Sequence, residues 1–241
     1  MKRPEMILFD YGHTLGYSKC YSDLRGAKAM MPHITKNPDD LSAEQIADFR
    51  ERMFEKTAAA RNAGFEIHEW QILRLSLEYL GLETDLDEKD YELMFWKAAS
   101  EGAAVDGIGK FLDFLKENKI RTGVVSNIGW SGRSLTQRIN EFIPQNDFEF
   151  IIASSEYGIR KPDKMIFDLA LKKAGLTPEK VWYCGDSIEF DIIGAHNAGL
   201  FPVLYDDPMF RTDGEKELPD FEYLHISAWE ELRRIIEEMP L

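Results

Sequence analysis

Cysteine is scarce: Cys20 and Cys184 are the only two in 241 residues, they lie far apart, and no C-x-x-C spacing joins them. Their scarcity argues against a disulfide scaffold or a thiolate zinc site. Long apolar runs are missing as well. The longest, such as Met6-Ile7-Leu8-Phe9, are a fraction of the ~20 residues that cross a bilayer, so no membrane partner is expected. Residues Met1 to Glu5 lead straight into that run rather than into the apolar core of a signal peptide, and the expected location is the cytoplasm. Positive charge is in deficit, with 29 Lys plus Arg against 43 Asp plus Glu and a net charge of −14. Nucleic-acid and anionic-membrane surfaces need clustered positive charge, so neither is an expected partner. An anionic substrate would need a local cation. There is no internal repeat, low-complexity tract or Ser/Gly linker, and the length exceeds the roughly 100 to 200 residues of an ordinary domain by little enough to suggest one domain with a sizeable insert.

Periodicity supplies the organisation. Met6 to Phe9 reads as a buried parallel strand, closed by Asp10. Ser42-Ala43-Glu44-Gln45 has the form of a capping box, and Ile46, Phe49 and Met53 follow at helical spacing until Gly64. Trp70, Leu73, Leu77 and Leu80 mark a second helix ended by Gly81, and Glu88 to Ser100 a third, so residues 17–104 form an all-helical insert. Strands and helices then alternate. Strands are expected at Arg121 to Val125, Phe148 to Ala153, Val181 to Cys184 and Pro202 to Tyr205, with helices near 107–118, 132–142, 163–174 and 188–198. A further strand, Tyr223 to Ile226, and a helix, Ala228 to Met239, close the chain. The fold class is α/β, a doubly wound parallel sheet with a helical insert.

The carboxyl ends of parallel strands are where such sheets hold ligands, which makes Asp10 a candidate nucleophile. Asp10-Tyr11-Gly12-His13-Thr14-Leu15, then Ser126 with Asn127 after Thr122-Gly123-Val124-Val125, then Lys161 in Arg160-Lys161-Pro162-Asp163, then Gly185-Asp186-Ser187-Ile188-Glu189-Phe190-Asp191 stand in a fixed order. In that order they resemble the four-motif signature of the haloacid dehalogenase-like superfamily. The resemblance implies a Rossmann-like core of residues 1–16 and 105–241 and a helical cap of residues 17–104, and a hydrolase of small phosphorylated metabolites that uses Mg²⁺. It makes Asp10 the carboxylate that attacks phosphorus, Ser126 and backbone N–H groups near residues 11, 12 and 127 the phosphoryl cradle, and Lys161 the compensating cation. Asp10, the carbonyl of Gly12 and Asp186 become the metal ligands, and Asp191 a group that orients Lys161 or a metal-bound water. One position departs from the pattern. Phosphatases of the family usually carry a second Asp two residues after the nucleophile, as acid and base, and here that residue is Gly12.

Other chemistries compete. A phosphonatase-like hydrolase has a small residue at the position of Gly12 and uses a cap lysine as a Schiff base, for which Lys19 and Lys28 are the candidates. A carbon–halogen hydrolase also lacks the second Asp but needs no metal, which Gly185-Asp186 and Asp191 argue against. A catalytically weak phosphate-binding or interaction protein would keep the same motifs without turnover. His13 reads as a turn residue that the loop directs away from the site, with a displaced acid/base role as the alternative, and Tyr17, Tyr21, Arg25, Trp130 and Arg133, which could face the cleft, each singly as packing or surface residues. No zinc-type histidine spacing and no G-x-S-x-G elbow occurs.

Overall fold

The computed structural model describes residues 2–210 and 219–240. The chain begins with β1 (Met6–Phe9), β2 (Gly16–Tyr21), α1 (Asp23–Met30), β3 (Ile34–Lys36), α2 (Ala43–Lys56), α3 (Ala58–Asn62), α4 (Glu69–Tyr79), β4 (Glu83–Thr84), α5 (Glu88–Ala99) and β5 (Ser100–Ala104). Strand and helix then alternate through α6 (Ile108–Glu117), β6 (Arg121–Ser126), α7 (Gly132–Phe142), β7 (Ile151–Ala153), α8 (Lys164–Ala174) and β8 (Val181–Gly185). A π-helical segment, Ile188–Ile193, runs into α9 (Gly194–Ala198), and β9 (Phe201–Tyr205), β10 (Leu224–Ile226) and α10 (Trp229–Glu237) follow.

Six strands form one parallel sheet in the order β10-β9-β8-β1-β6-β7. β1 is fully enclosed, and its pleat divides its side chains between two cores. Ile7 and Phe9 pack with Phe111, Leu115 and Trp229 on one face, whereas Met6 and Leu8 pack with Ile166, Phe167 and Tyr183 on the other. A strand buried on both faces has to be apolar at every position, which is why its sequence reads as a continuous run rather than an alternation. Each such side chain contributes about 1.5–3 kcal/mol on burial. Because β6 and β8 flank β1 on opposite sides, the chain reverses its order of addition there, and the carboxyl ends of these three strands open onto one crevice.

The insert departs from the all-helical expectation. Its helices α1 to α5 are accompanied by two antiparallel pairs, β2 with β5 and β3 with β4. β2 and β5 are the outgoing and returning arms of the insert, and where the arms run side by side their backbone groups satisfy one another. The approach is close: a Cβ on Gly102 would lie 2.6 Å from the Tyr17 carbonyl oxygen. Helix α1, capped by Ser22, was not legible as a separate element. The capping box at Ser42 forms as expected, with Gln45 N–H donating to the Ser42 hydroxyl and Ser42 N–H to the Gln45 side chain.

Buried carboxylates join the insert to the loops beyond β6 and β7. Glu92 of α5 accepts from the Ser131 N–H at 2.6 Å and from the hydroxyls of Ser131 and Ser134 at 2.6 and 3.0 Å, at the start of α7. Glu66 accepts from the Ser154 hydroxyl at 2.8 Å, and Glu69 N–H donates to the Gly129 carbonyl at 2.7 Å. The insert is thereby held over the carboxyl edge of the sheet.

Candidate active site

Asp10 follows β1, Ser126 ends β6, and Asp186 follows β8, so the sheet itself converges them. Lys161 reaches the same point from the loop before α8. Its ammonium is buried and donates to Asp10 Oδ1 at 2.8 Å, Asp191 Oδ1 at 2.6 Å and the Tyr183 hydroxyl at 2.7 Å. Tyr183 in turn donates to the Val125 carbonyl at 2.7 Å. One ammonium has three donors, and here all three are used.

The backbone at Lys161 is fixed by Asn127 rather than by a helix start. The Asn127 amide donates to the Lys161 carbonyl at 2.9 Å, and Lys161 N–H donates to Asn127 Oδ1 at 2.7 Å. Pro162 lies outside α8. Asp163 is the N-cap of that helix and Lys164 begins it. The Asn127 side chain thus orients Lys161, and the residue also lines the cavity.

Asp191 lies in the π-helical segment, where a helix had been expected throughout 188–198. Its Oδ2 accepts from Ser187 N–H at 2.9 Å while Oδ1 meets Lys161. π-Turns recur where a helix must re-aim a side chain, and this one turns Asp191 inward. Gly185 makes room for it: a Cβ there would lie 2.3 Å from the Asp191 carboxyl carbon.

Burial raises the pKa of Asp10 against the attraction of Lys161, with Asp186 adding to the rise. Burial also pushes Asp191 up to about 7. For Lys161, burial opposes the charged form, but Asp10 and Asp191 together outweigh it and hold the ammonium above its ordinary value. Two carboxylates share one cation, and a third, Asp186, stands nearby. Oxygen atoms of Asp10, Asp186 and Asp191 lie within 4.8 Å of one another. With Asp191 committed to Lys161 and Ser187, Asp10 and the partly exposed Asp186 are the two carboxylates with oxygens to offer. An all-oxygen donor set with a few carboxylates and room for water suits a hard dication such as Mg²⁺.

His13 is not directed away. It sits at φ +54° and places Nδ1 3.3 Å from Asp186 Oδ2, with its ring stacked on Phe210 at 4.7 Å. The hydrogen bond to Asp186 raises its pKa, against desolvation and with help from Asp10. A left-handed conformation is accessible to His more readily than to branched residues, and it swings the ring back over the site.

The cavity at Asp10 has a volume of about 270 Å³ and is bounded by Ser126, Tyr17, Tyr21, Trp96, Trp130 and Arg138. Tyr17, Tyr21 and Trp130 thus face it, although each alone read as a packing residue. Arg25 does not; it binds the Cys20 and Ala99 carbonyls, both at 2.7 Å. Arg133 lies on the surface, 4.0 Å from Asp90. Neither lysine considered for Schiff-base chemistry lines the cavity. Lys19 is exposed on β2, and Lys28 pairs with Glu44 at 3.2 Å. Tyr183, Glu66 and Glu92 were missed in the sequence; the available signal was a hydroxyl in a strand buried on both faces, and none distinguished the two glutamates from surface charge.

A glyceraldehyde 3-phosphate phosphatase of Methanothermobacter thermautotrophicus is 29% identical over 123 residues, 51% of this chain and 53% of that protein. Pyrimidine 5'-nucleotidase YjjG of Escherichia coli is 39% identical over 87 residues, 34% of this chain and 38% of that protein. The matched stretch thus spans about half or less of these curated relatives. Among solved structures, a HAD phosphatase from Thermococcus onnurineus superimposes with a TM-score of 0.63 at 18% identity, covering 100% of both chains. A 2-haloacid dehalogenase from Pseudomonas syringae gives 0.62 at 20% identity, over 98% of this chain and 99% of that one, so the fold is shared across different chemistries. The model of the haloacid dehalogenase-like hydrolases matches residues 65–204, more than half of the chain, and the chain belongs to that family.

Proposed function

We propose that the protein is a Mg²⁺-dependent phosphatase of a small phosphorylated metabolite, with residues 1–16 and 105–241 as the catalytic core and 17–104 as its cap. The observation that carries this reading is the buried Asp10 carboxylate on the wall of an open cavity, with Lys161 2.8 Å away and Ser126 beside it. The phosphatase and 5'-nucleotidase names of the relatives support the reaction class. A binding protein has no need to hold a carboxylate, with its pKa raised by burial, against a charge-matched lysine at a strand end.

In this reading an Asp10 oxygen attacks phosphorus and the bond to the leaving oxygen breaks, giving an aspartyl-phosphate that water later hydrolyses. Lys161 holds Asp10 in place and offsets negative charge, and the Ser126 hydroxyl donates to a phosphoryl oxygen. Asp191 and Tyr183 keep the Lys161 ammonium at a fixed point; Asn127 fixes its backbone. Asp10, Asp186 and the Gly12 carbonyl would hold Mg²⁺, which when bound offsets the charge of the phosphoryl group as it meets the carboxylate. With Gly12 in place of the acid, the leaving oxygen takes its proton from water.

Phosphate release from a panel of phosphate monoesters, with and without Mg²⁺, tests the reading. Metal-dependent release by the native protein and none by folded Asp10→Asn is expected. Unchanged turnover in that variant would overturn covalent catalysis through Asp10.

A further inference from the structure

Two features of the cavity bear on what leaves the phosphorus. The first is its wall. Beyond the phosphoryl end the surface is formed by the rings of Tyr17, Tyr21, Trp96 and Trp130, with Trp96 and Trp130 stacked at 5.2 Å and 8°. The cation on this wall, Arg138, is buried, lies 4.6 Å from the Trp96 ring and donates to the Ser100 carbonyl. Past Tyr21 the next cation, Arg50, is paired with Asp23 and Glu69. Arg138 is thus the cation on this wall, and no carboxylate among the described residues pairs with it. At about 270 Å³ the open cavity lies near the lower end of the ~300–1,000 Å³ of common ligand pockets, which accommodates a leaving group of one ring.

The second feature is the lack of a carboxylic proton donor at position 12, two residues after Asp10. Gly12 offers none. His13 turns Nδ1 to Asp186 and lays its face on Phe210, and Lys161 has all its donors engaged. General acid catalysis is worth about 10² to 10⁴ in rate, so its loss penalises alkyl esters far more than esters of acidic hydroxyls.

Resting on the phosphatase reading above, we infer that the substrate is an aryl phosphate, a phosphate esterified to the phenolic oxygen of a small single-ring compound. The flat ring stacks on the aromatic wall, and the phenolate, conjugate base of an acid of pKa about 10, departs without protonation. In the step, an Asp10 oxygen forms the bond to phosphorus, the phosphorus–phenolic oxygen bond breaks, and the electron pair leaves on the phenolate, which water then protonates.

Phenyl phosphate, benzyl phosphate and glycerol 3-phosphate separate the two features, because the first two share the ring and differ in the leaving oxygen. With Mg²⁺ present, kcat/KM for phenyl phosphate is expected to exceed that for benzyl phosphate by about 10² or more, with benzyl above glycerol 3-phosphate. In Tyr17→Ala and Tyr21→Ala, at partly exposed positions where folding is least at risk, the preference for phenyl over glycerol phosphate should fall by about 2- to 10-fold through a raised KM for the ring substrate. Equal turnover of phenyl and benzyl phosphate would show that a donor is present and overturn the inference. So would a preference for glycerol 3-phosphate, or an unchanged ring preference in both variants; each leaves the phosphatase reading standing. No turnover of any of the three by folded, Mg²⁺-supplied protein would overturn that reading itself and the inference with it.

Discussion

Gly12 is the residue on which the proposed chemistry turns. A Cβ placed there meets only Asp10 Oδ2, at 3.8 Å, an ordinary contact, and the residue is not among the glycines at positive φ. Gly12→Asp is therefore expected to fold. If proton transfer is the only missing function, the variant gains up to about 10² to 10⁴ on an unactivated alkyl phosphate and much less on an aryl phosphate, whose leaving group needs little help. Initial rates on both substrates check this; no gain on the alkyl ester in a folded, metal-binding variant would place the limitation elsewhere. Gly185 is the opposite case. Its missing Cβ is filled by Asp191, a side chain held at both oxygens, so Gly185→Ala cannot be absorbed by a rotamer change. Overpacking of this kind costs about 1–3 kcal/mol, measurable as a lower urea midpoint, and it should depress turnover as Asp191 is displaced from Lys161.

At the scale of elements, the carboxyl ends of β1, β6 and β8 do the assembling, and the insert is pinned to what they assemble. Helix α5 contributes Glu92, nearly enclosed, whose carboxylate accepts three hydrogen bonds at the N-terminus of α7. A carboxylate there also meets the positive end of the helix dipole. Removing it leaves the Ser131 N–H and two hydroxyls short of a partner, and Glu92→Ala is expected to lose about 1–3 kcal/mol, while Glu92→Gln, which keeps the acceptor oxygen, loses less. Denaturant titration of both variants decides it, and equal stability of Glu92→Ala and the native protein would count against this contact as a structural link. The strands were legible because burial on both faces writes a plain apolar run, and α7 was placed at its observed bounds, Gly132–Phe142, by its amphipathic spacing. The ribbon of β2 and β5 was not, since Gly16 to Tyr21 and Ser100 to Ala104 carry no alternation and pair only because the arms of the insert meet.

For the whole molecule, metal binding and folding should be linked. A dication that binds the folded site and not the unfolded chain at one hundred times its Kd stabilises by about 2.7 kcal/mol, which for a chain of this size is a Tm rise of about 5–10 °C. Mg²⁺ is expected to give such a rise in the native protein and none in Asp186→Ala, by calorimetry in chelator-treated samples. Equal Tm with and without saturating Mg²⁺ would remove the metal from the reading. No helix among the described residues is long and apolar enough to cross a membrane.

The sequence by itself determined the α/β class, the alternation of strands and helices in the core and the nomination of Asp10, Ser126, Lys161, Asp186 and Asp191, because local patterns and fixed spacings carry that information. The tertiary structure alone decided which of these groups meet. The contacts of Lys161 with Asp10 and Tyr183 join residues 151 and 22 positions apart, and the turn of His13 toward Asp186 spans 173. Glu66 and Glu92 could not be told from solvated charge in the sequence, since a carboxylate becomes a buried link only when another part of the chain brings donors to it. The same holds for the aromatic wall: a ring shows in sequence as a ring, and only the packing around it settles whether its face meets the core or an open cavity.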